Sequence, residues 1–239
     1  MKALVLCAGL GTRLGEISNG VPKPLIQIGN EPCLIYLLSK LEKIGVKQLI
    51  INTHFKPEEF EKSIFKFKTN MTIKLEYEPI LLGTAGTLKK HINWLCTDNF
   101  WVLHGDNYFD DNLLKMKRKV DETPKNIIGG LGVFRTLNHK KVGIVKRKMN
   151  GRVTAIYEKN IKKQGFLANS AVYYLKPDIK NDVVLLDKNQ RDLSIDLLPK
   201  LLNKVIAVTL KGSFIDIGTP QDLIRAKNKS KKVAGVSND

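Results

Sequence analysis

The sequence predicts an α/β fold: a mostly parallel mixed sheet with helices on both faces, three layers in all, and a second half richer in hairpins. Three observations carry this. The first half alternates apolar runs of strand length with segments of helical periodicity. Its first run, Lys2–Cys7, leads into the glycine-rich stretch LCAGLGTRLG, Leu6 to Gly15, which can bring backbone N–H groups close to phosphate. In the second half, Asn150-Gly151 lies between two short apolar segments, the signal of a tight hairpin.

Taken in order, Lys2–Cys7 is aliphatic and β-branched without polar interruption, as expected of a buried parallel strand. Pro32 can open a helix through Leu34, Ile35, Leu37, Leu38 and Leu41, whose spacing suits one buried face, and Gly45 stops it. Gln48–Asn52 reads as the second strand, Pro57 to about Phe67 as a helix, and Thr72–Tyr77 as an alternating strand. Thr84–Ile92 is the next helix and Phe100–His104 the next strand. This repetition gives a Rossmann-like sheet whose ligands sit beyond the carboxyl ends of its strands. LCAGLGTRLG and His104-Gly105-Asp106-Asn107 both lie at such ends, which suits a shared cleft.

In the second half, Ile127–Phe134, Gly143–Lys148, Arg152–Tyr157 and Ala171–Leu175 are strands in this reading, Leu193–Leu202 a helix and Val205–Leu210 a strand. The stretch Phe214 to Pro220 precedes a last helix from Gln221 to about Asn228. Residues 1–228 read as one domain, with no linker or internal repeat. Residues 229–239, polar and without periodicity, read as a disordered tail.

A chain of 239 residues with 43% hydrophobic residues can bury a large core without disulfides. Cys7, Cys33 and Cys96 are scattered and lack C-x-x-C spacing, which argues against zinc and against a disulfide framework. No stretch has the length of a signal peptide or membrane span, so a cytoplasmic protein with no membrane partner is expected. The formal net charge of +17 suits an anionic partner, but the lysines of Lys115–Lys119 and Lys146–Lys148 also suit a solvated surface. No basic-aromatic alternation of a single-strand-binding platform is present, and no nucleic-acid partner is expected.

Spacing excludes two familiar phosphate loops. A P-loop ends in lysine followed by Ser or Thr, and Gly9 to Gly15 contains neither such pair. The dinucleotide fingerprint needs glycine at position 14, where Leu14 stands. Instead Arg13 is placed to reach phosphates, and Lys23 follows on a segment fixed by Pro22 and Pro24. Two cations from different parts of a loop suit the charges spread along a polyphosphate.

Gly9-Leu10-Gly11-Thr12-Arg13-Leu14 with Pro22-Lys23-Pro24-Leu25 resembles the signature of the sugar-1-phosphate nucleotidylyltransferases. The resemblance runs from Met1 to about Ala226. Gly83-Thr84-Ala85-Gly86 is similar to that family's nucleotide-contacting turn, and Gly105-Asp106 to its metal-binding pair. Tyr157-Glu158-Lys159, Asn169 and Asp216-Ile217-Gly218-Thr219-Pro220 match later blocks in the same order. What the resemblance implies is Mg²⁺-dependent transfer of a nucleoside monophosphate from a nucleoside triphosphate to a sugar 1-phosphate. The products would be an NDP-sugar, destined for polysaccharide biosynthesis, and pyrophosphate.

The same resemblance assigns roles. Arg13, Lys23 and Asp106 would be catalytic, with Arg13 on the departing pyrophosphate and Lys23 on the triphosphate. Leu6, Ala8, Gly9, Gly11, Thr12, Arg13, Gly83 and Thr84 would bind the nucleotide, and Glu78 would read the base. Gly143, Glu158, Lys159 and Asn169, in the hairpin-rich half, would bind the sugar phosphate. Asp106 and Asp216 would hold Mg²⁺, which needs few carboxylates because it keeps several waters. A carboxylate at Glu78 can accept from both N1–H and the N2 amine of guanine, which favours GTP. Asn107, Asn160, Ala171 and Ala8 depart from the residues common at those places; Ala171 stands where glycine is usual. Two other readings remain open at this point: a CTP-dependent cytidylyltransferase acting on a phospho-alcohol such as phosphocholine, and a non-catalytic nucleotide sensor or nucleic-acid-binding module. A homo-oligomer is left open as well.

Overall fold

A computed structural model of the chain describes residues 1–11, 20–137, 142–158 and 165–235. Its elements run β1 (Lys2–Leu6), β2 (Gln27–Ile28), β3 (Glu31–Pro32), α1 (Cys33–Lys43), β4 (Gln48–Thr53), α2 (Pro57–Lys66), β5 (Thr72–Tyr77), α3 (Thr84–Leu95), β6 (Phe100–His104) and β7 (Asn107–Phe109). Then follow α4 (Leu114–Asp121), β8 (Gly129–Arg135), β9 (Ile144–Arg147), β10 (Val153–Tyr157), β11 (Leu167–Leu175), α5 (Lys180–Val184), β12 (Val205–Thr209), β13 (Phe214–Asp216) and α6 (Pro220–Gly235). The fold class is the expected α/β, with mixed strand pairing. The described residues form two compact units, one of residues 1–4, 82–103, 111–137, 142–158 and 165–211, the other of 5–11, 20–81, 104–110 and 212–235.

The first unit is built around β11. One edge of this strand pairs antiparallel with β6, Val172–Leu175 against Leu103–Phe100, and then touches β9 at Ala168. Its other edge pairs antiparallel with β8, and β8 pairs parallel with β12. β9 and β10 form the expected hairpin across Asn150-Gly151, closed by Lys148 N–H donating to Arg152 O at 2.9 Å. Sequence periodicity does not reveal α4. Lys115 and Lys119 are exposed, but Met116 and Val120, a turn apart, are buried and hold the helix to the unit. The helix expected over Leu193–Leu202 is instead a five-residue π turn, Leu193–Leu197, running into a 3-10 turn, Leu198–Leu201. Pro199 has no N–H to continue an α-helical ladder there.

Between Asn169 and Tyr173 the β11–β8 register shifts, and Ala171 takes φ = 51°. Asn169 Oδ1 accepts from Ala171 N–H at 3.0 Å, so the bulge is held by the side chain that precedes it. A left-handed alanine is strained where glycine is not. Ala171→Gly is expected to raise stability by up to about 1 kcal/mol, less whatever the freer unfolded chain takes back. A thermal melt showing a lower Tm would contradict this account of the bulge.

The second unit packs α1 and α6 on short strands. Ile26, Ile28, Cys33, Tyr108, Ile215, Ile217, Leu223 and Ala226 form one buried cluster. Tyr36 stacks on Tyr108 with ring centroids 4.8 Å apart and donates its hydroxyl to Phe109 O at 3.1 Å. β4 and β5 pair parallel, Gln48–Thr53 against Thr72–Tyr77, as expected of a strand–helix–strand unit. β13 pairs antiparallel with β7, a strand that sequence periodicity does not reveal because it is three residues long. α6 begins at a reciprocal cap: Thr219 Oγ1 accepts from Asp222 N–H at 3.3 Å and donates to Asp222 Oδ2 at 2.7 Å. It runs to Gly235, so residues 229–235, expected in a tail, are helical. Once a helix is nucleated, lysine and alanine extend it readily.

Candidate active site

In the second unit, Lys23, Asp106 and Asp216 meet. Lys23 opens a 3-10 turn, Lys23–Leu25, between Pro22 and Ile26; Pro24 and Leu25 are buried, so the backbone under Lys23 is fixed. Asp106 follows β6 through Gly105, whose N–H donates to Leu6 O at 3.0 Å. A Cβ on Gly105 would overlap Cys7 Sγ, so glycine is required for this close approach to the end of β1. Asp216 ends β13 opposite Asn107, and Ile217 N–H donates to Asp106 O at 3.2 Å. Short antiparallel pairing thus brings two carboxylates from distant parts of the chain to one point.

The Lys23 ammonium bridges them. Nζ donates to Asp106 Oδ2 and, at 2.9 Å, to Asp216 Oδ1. The Lys23 side chain is 10% exposed, against 22% for Asp106 and 52% for Asp216. Burial pushes the Asp106 carboxyl toward its neutral form, but Lys23, helped by His104, outweighs burial and holds it below the ordinary carboxylate range. For Lys23 burial disfavours the charge, and the two aspartates overcome it and raise its pKa. Gly11, at φ = 66°, lies with its Cβ position 3.5 Å from Lys23 Cβ, so the described end of the glycine-rich loop packs beside this centre. Thr12 and Arg13 lie outside the described residues.

Two carboxylate oxygens that share one cationic nitrogen also make a fitting donor set for a hard divalent cation. Among the described residues no group of three or more His, Cys, Asp or Glu side chains is placed to hold a metal, so such an ion would draw its remaining ligands from substrate and water. Burial, with the negative charge of Asp106, pushes the Cys7 and Cys33 thiols well above their usual pKa, which removes them as thiolate ligands or nucleophiles.

At the start of the loop, Leu6 and Ala8 are buried and Gly9 is exposed. Cys7 N–H donates to Asn52 Oδ1 at 2.8 Å, and Asn52 Nδ2 donates to Glu78 Oε1 at 3.0 Å. Glu78, 1% exposed, is a buried carboxylate at the end of β5. Its backbone is pinned by its N–H donating to Thr53 O at 2.8 Å and by His54 Nδ1 at 2.6 Å from its carbonyl.

The first unit holds two further groups of the expected residues. Gly83 takes φ = 78°, and a Cβ there would lie 2.5 Å from Arg191 O, which accepts instead from Ala85 N–H at 2.8 Å. Thr84 Oγ1 accepts from Leu193 N–H at 2.8 Å. The turn that opens α3 is therefore welded to residues 191–193. Elsewhere in this unit Gly143, Glu158 and Asn169 converge: Asn169 N–H donates to Gly143 O at 2.8 Å, and a Cβ on Gly143 would overlap Glu158 Oε1. Asn169 Nδ2 donates to the hydroxyl of Tyr173 at 2.9 Å, and burial pushes that phenol up to about 12. Lys159 lies outside the described residues.

Sequence reasoning overlooked Asn52 and the 191–193 segment. Asn52 stands one residue before the end of the apolar strand β4 and carries a buried amide, a signal readable from polarity alone. Asp192 in RDLSID, Arg191 to Asp196, has a capping signature: its Oδ1 accepts from Ser194 N–H at 2.7 Å, and its N–H donates to Asp196 Oδ2 at 2.8 Å.

Residues 2–233 match the sequence profile of a family described as nucleotidyl transferase. The chain is 32% identical over 222 residues to the D-glycero-α-D-manno-heptose 1-phosphate guanylyltransferase of Campylobacter jejuni, covering 93% of this chain and 96% of that one. It is 28% identical over 236 residues to the mannose-1-phosphate guanyltransferase of Yarrowia lipolytica, covering 94% of this chain but only 62% of that longer protein. Among solved structures, HddC from Yersinia pseudotuberculosis complexed with GMP-PN is similar with a TM-score of 0.79 at 27% identity, covering 95% of this chain and 98% of that one. Among the described residues no helix is long and apolar enough to cross a membrane.

Proposed function

The chain belongs to the nucleotidyl transferase family, and from that premise we propose that it transfers GMP from GTP to a heptose or mannose 1-phosphate. A phosphate oxygen of the sugar phosphate attacks the α-phosphorus of GTP. The bond to the bridging oxygen of the β-phosphate breaks, and pyrophosphate leaves. The observation that carries the reading is the convergence of Lys23, Asp106 and Asp216 beside the end of the glycine-rich loop. In-line transfer of this kind needs charge balance and positioning more than covalent help, and that centre supplies both. The choice of guanine and of these sugars is supported by the activities for which the relatives from Campylobacter and Yarrowia are named.

Asp106 and Asp216 would hold Mg²⁺, which when bound supplies charge neutralisation at the phosphates. Lys23 and Arg13 offer positive charge to the triphosphate oxygens and to the departing pyrophosphate. Gly83 and Thr84, at the opening turn of α3, would bind the nucleotide. Gly143, Glu158, Lys159 and Asn169 take the sugar phosphate, Lys159 on the phosphate and Glu158 on a hydroxyl. The reading assigns the protein to the cytoplasm, where nucleoside triphosphates are abundant.

Pyrophosphate release with Mg²⁺ tests it, crossing GTP, UTP, dTTP, CTP and ATP with heptose, mannose, glucose and amino-sugar 1-phosphates and phosphocholine. Release confined to GTP with heptose or mannose 1-phosphate is expected. Release with CTP and phosphocholine alone would overturn the substrate assignment, and silence in a folded protein that still binds nucleotide would overturn the reaction. For the acceptor site, Gly143→Ala should push the Glu158 carboxylate aside and raise the sugar-phosphate KM about tenfold, as expected when one hydrogen bond to substrate is lost. The nucleotide KM should stay near its wild-type value, as it should in Lys159→Ala. A rise in the nucleotide KM alone would undo the assignment of these residues.

A further inference from the structure

One side-chain amide joins the start of the glycine-rich loop to a buried carboxylate. Asn52 is 3% exposed, and its Oδ1 accepts from Cys7 N–H at 2.8 Å while its Nδ2 donates to Glu78 Oε1 at 3.0 Å. The orientation of the amide follows from its partners: a backbone N–H can only donate, so it fixes the oxygen, and the NH₂ group must then face Glu78. The backbone of Glu78 is held separately, through Thr53 O and His54 Nδ1. The position of the first loop residue is thus referred, through one planar group, to the end of the β4–β5 pair.

We propose that Asn52 is a positioning residue for nucleotide binding: it sets the position of Cys7, and so of the loop from Ala8 to Gly11, by reference to the Glu78 carboxylate. The proposal rests on reading this loop as the cradle of the triphosphate. It needs no contact between Asn52 and substrate. Removing the amide leaves Cys7 N–H and Glu78 Oε1 without that partner in a buried setting, and the easiest relief is for the loop end to move. Backbone groups that must meet phosphate oxygens at hydrogen-bond distance are then misplaced, which raises the KM for nucleotide and leaves the acceptor site untouched.

Asn52→Ala is expected to raise the KM for nucleoside triphosphate about tenfold, as for one misplaced hydrogen bond, with the sugar-phosphate KM unchanged. Asn52→Asp should do the same, because its second oxygen would face Glu78 like against like. The double variant Asn52→Asp with Glu78→Gln reverses the hydrogen bond: the introduced glutamine amide can donate to the new carboxylate while Cys7 N–H keeps its acceptor. Its nucleotide KM should return to within about threefold of the Glu78→Gln single variant. A residue that merely supports the fold would lower Tm in all these proteins and move both KM values together, and that pattern would overturn the proposal. So would a wild-type nucleotide KM in folded Asn52→Ala.

If Asn52→Asp does not fold, the double variant carries the test, and a nucleotide KM about tenfold above that of Glu78→Gln in that folded protein would overturn it. Glu78→Gln alone keeps the hydrogen bond from Asn52 through its amide oxygen. Its preference for GTP over ITP, which lacks the N2 amine, therefore reports separately on base reading. An unchanged preference would end the base-reading role of Glu78, while the positioning role of Asn52 stands or falls on the KM comparison.

Discussion

Replacing Asp106 by asparagine is expected to lower turnover by about two to three orders of magnitude, in the range seen when one preorganised charge-stabilising group is removed from a reaction centre. The shape of the side chain is kept and Lys23 retains Asp216 at 2.9 Å, so the protein should stay folded. What disappears is a carboxylate that the fold keeps ionised against the effect of burial. The sign of the pH dependence follows from that depressed pKa. Stability from the Asp106–Lys23 pair is fully present above the ordinary carboxylate range and is lost as pH falls through the lowered pKa. Wild type should therefore melt above Asp106→Asn near neutrality, and the gap should close in acid. Full activity with Mg²⁺ in the variant would remove Asp106 from the reaction, and a gap that widens in acid would refute the assigned charge state.

Gly105→Ala should be nearly as damaging, for a steric reason. Its new Cβ would overlap Cys7 Sγ, far inside contact, in a site where Cys7 is 4% exposed. Overpacking of this kind destabilises by about 1–3 kcal/mol. The relief available is to push Asp106 away from the end of β1, so activity should fall with stability. The remaining neighbours, Val5 Cγ1 and Pro24 Cβ, would lie at 3.4 and 3.5 Å, ordinary contact distances. Cys7→Ala combined with Gly105→Ala should therefore recover most of the Tm and of the turnover. Failure of the double variant to recover either would show that the sulfur is not the obstacle.

The parts of the fold readable in the sequence are those whose residues act locally. The β4–α2–β5 segment is legible because apolar strands and Pro57 punctuate it, and the start of α6 because Thr219, Pro220 and Asp222 spell a cap. β7 and β13 are too short for periodicity. α4 carries so many lysines that its buried pair, Met116 and Val120, is lost against the charge. The candidate site divides in the same way. Lys23, Asp106 and Asp216 stand out beside prolines and glycines, but no spacing in the sequence announces that one ammonium joins both carboxylates. Asn52 shows as a polar residue in an apolar strand, but its bond from Cys7 N–H, like the contact of Gly83 with Arg191, is invisible for a simpler reason: each depends on a backbone atom remote in sequence, and backbone atoms have no letter.

Asp216 closes the centre from 193 residues beyond Lys23. During synthesis β13 cannot lie against β7 until most of the chain has left the ribosome. A polypeptide that stops short of Phe214 can form the β4–β5 pair and still lack half of its carboxylates. If Asp216 acts as proposed, competence arrives as a late event in synthesis, and chains that stop before it are expected to be inactive.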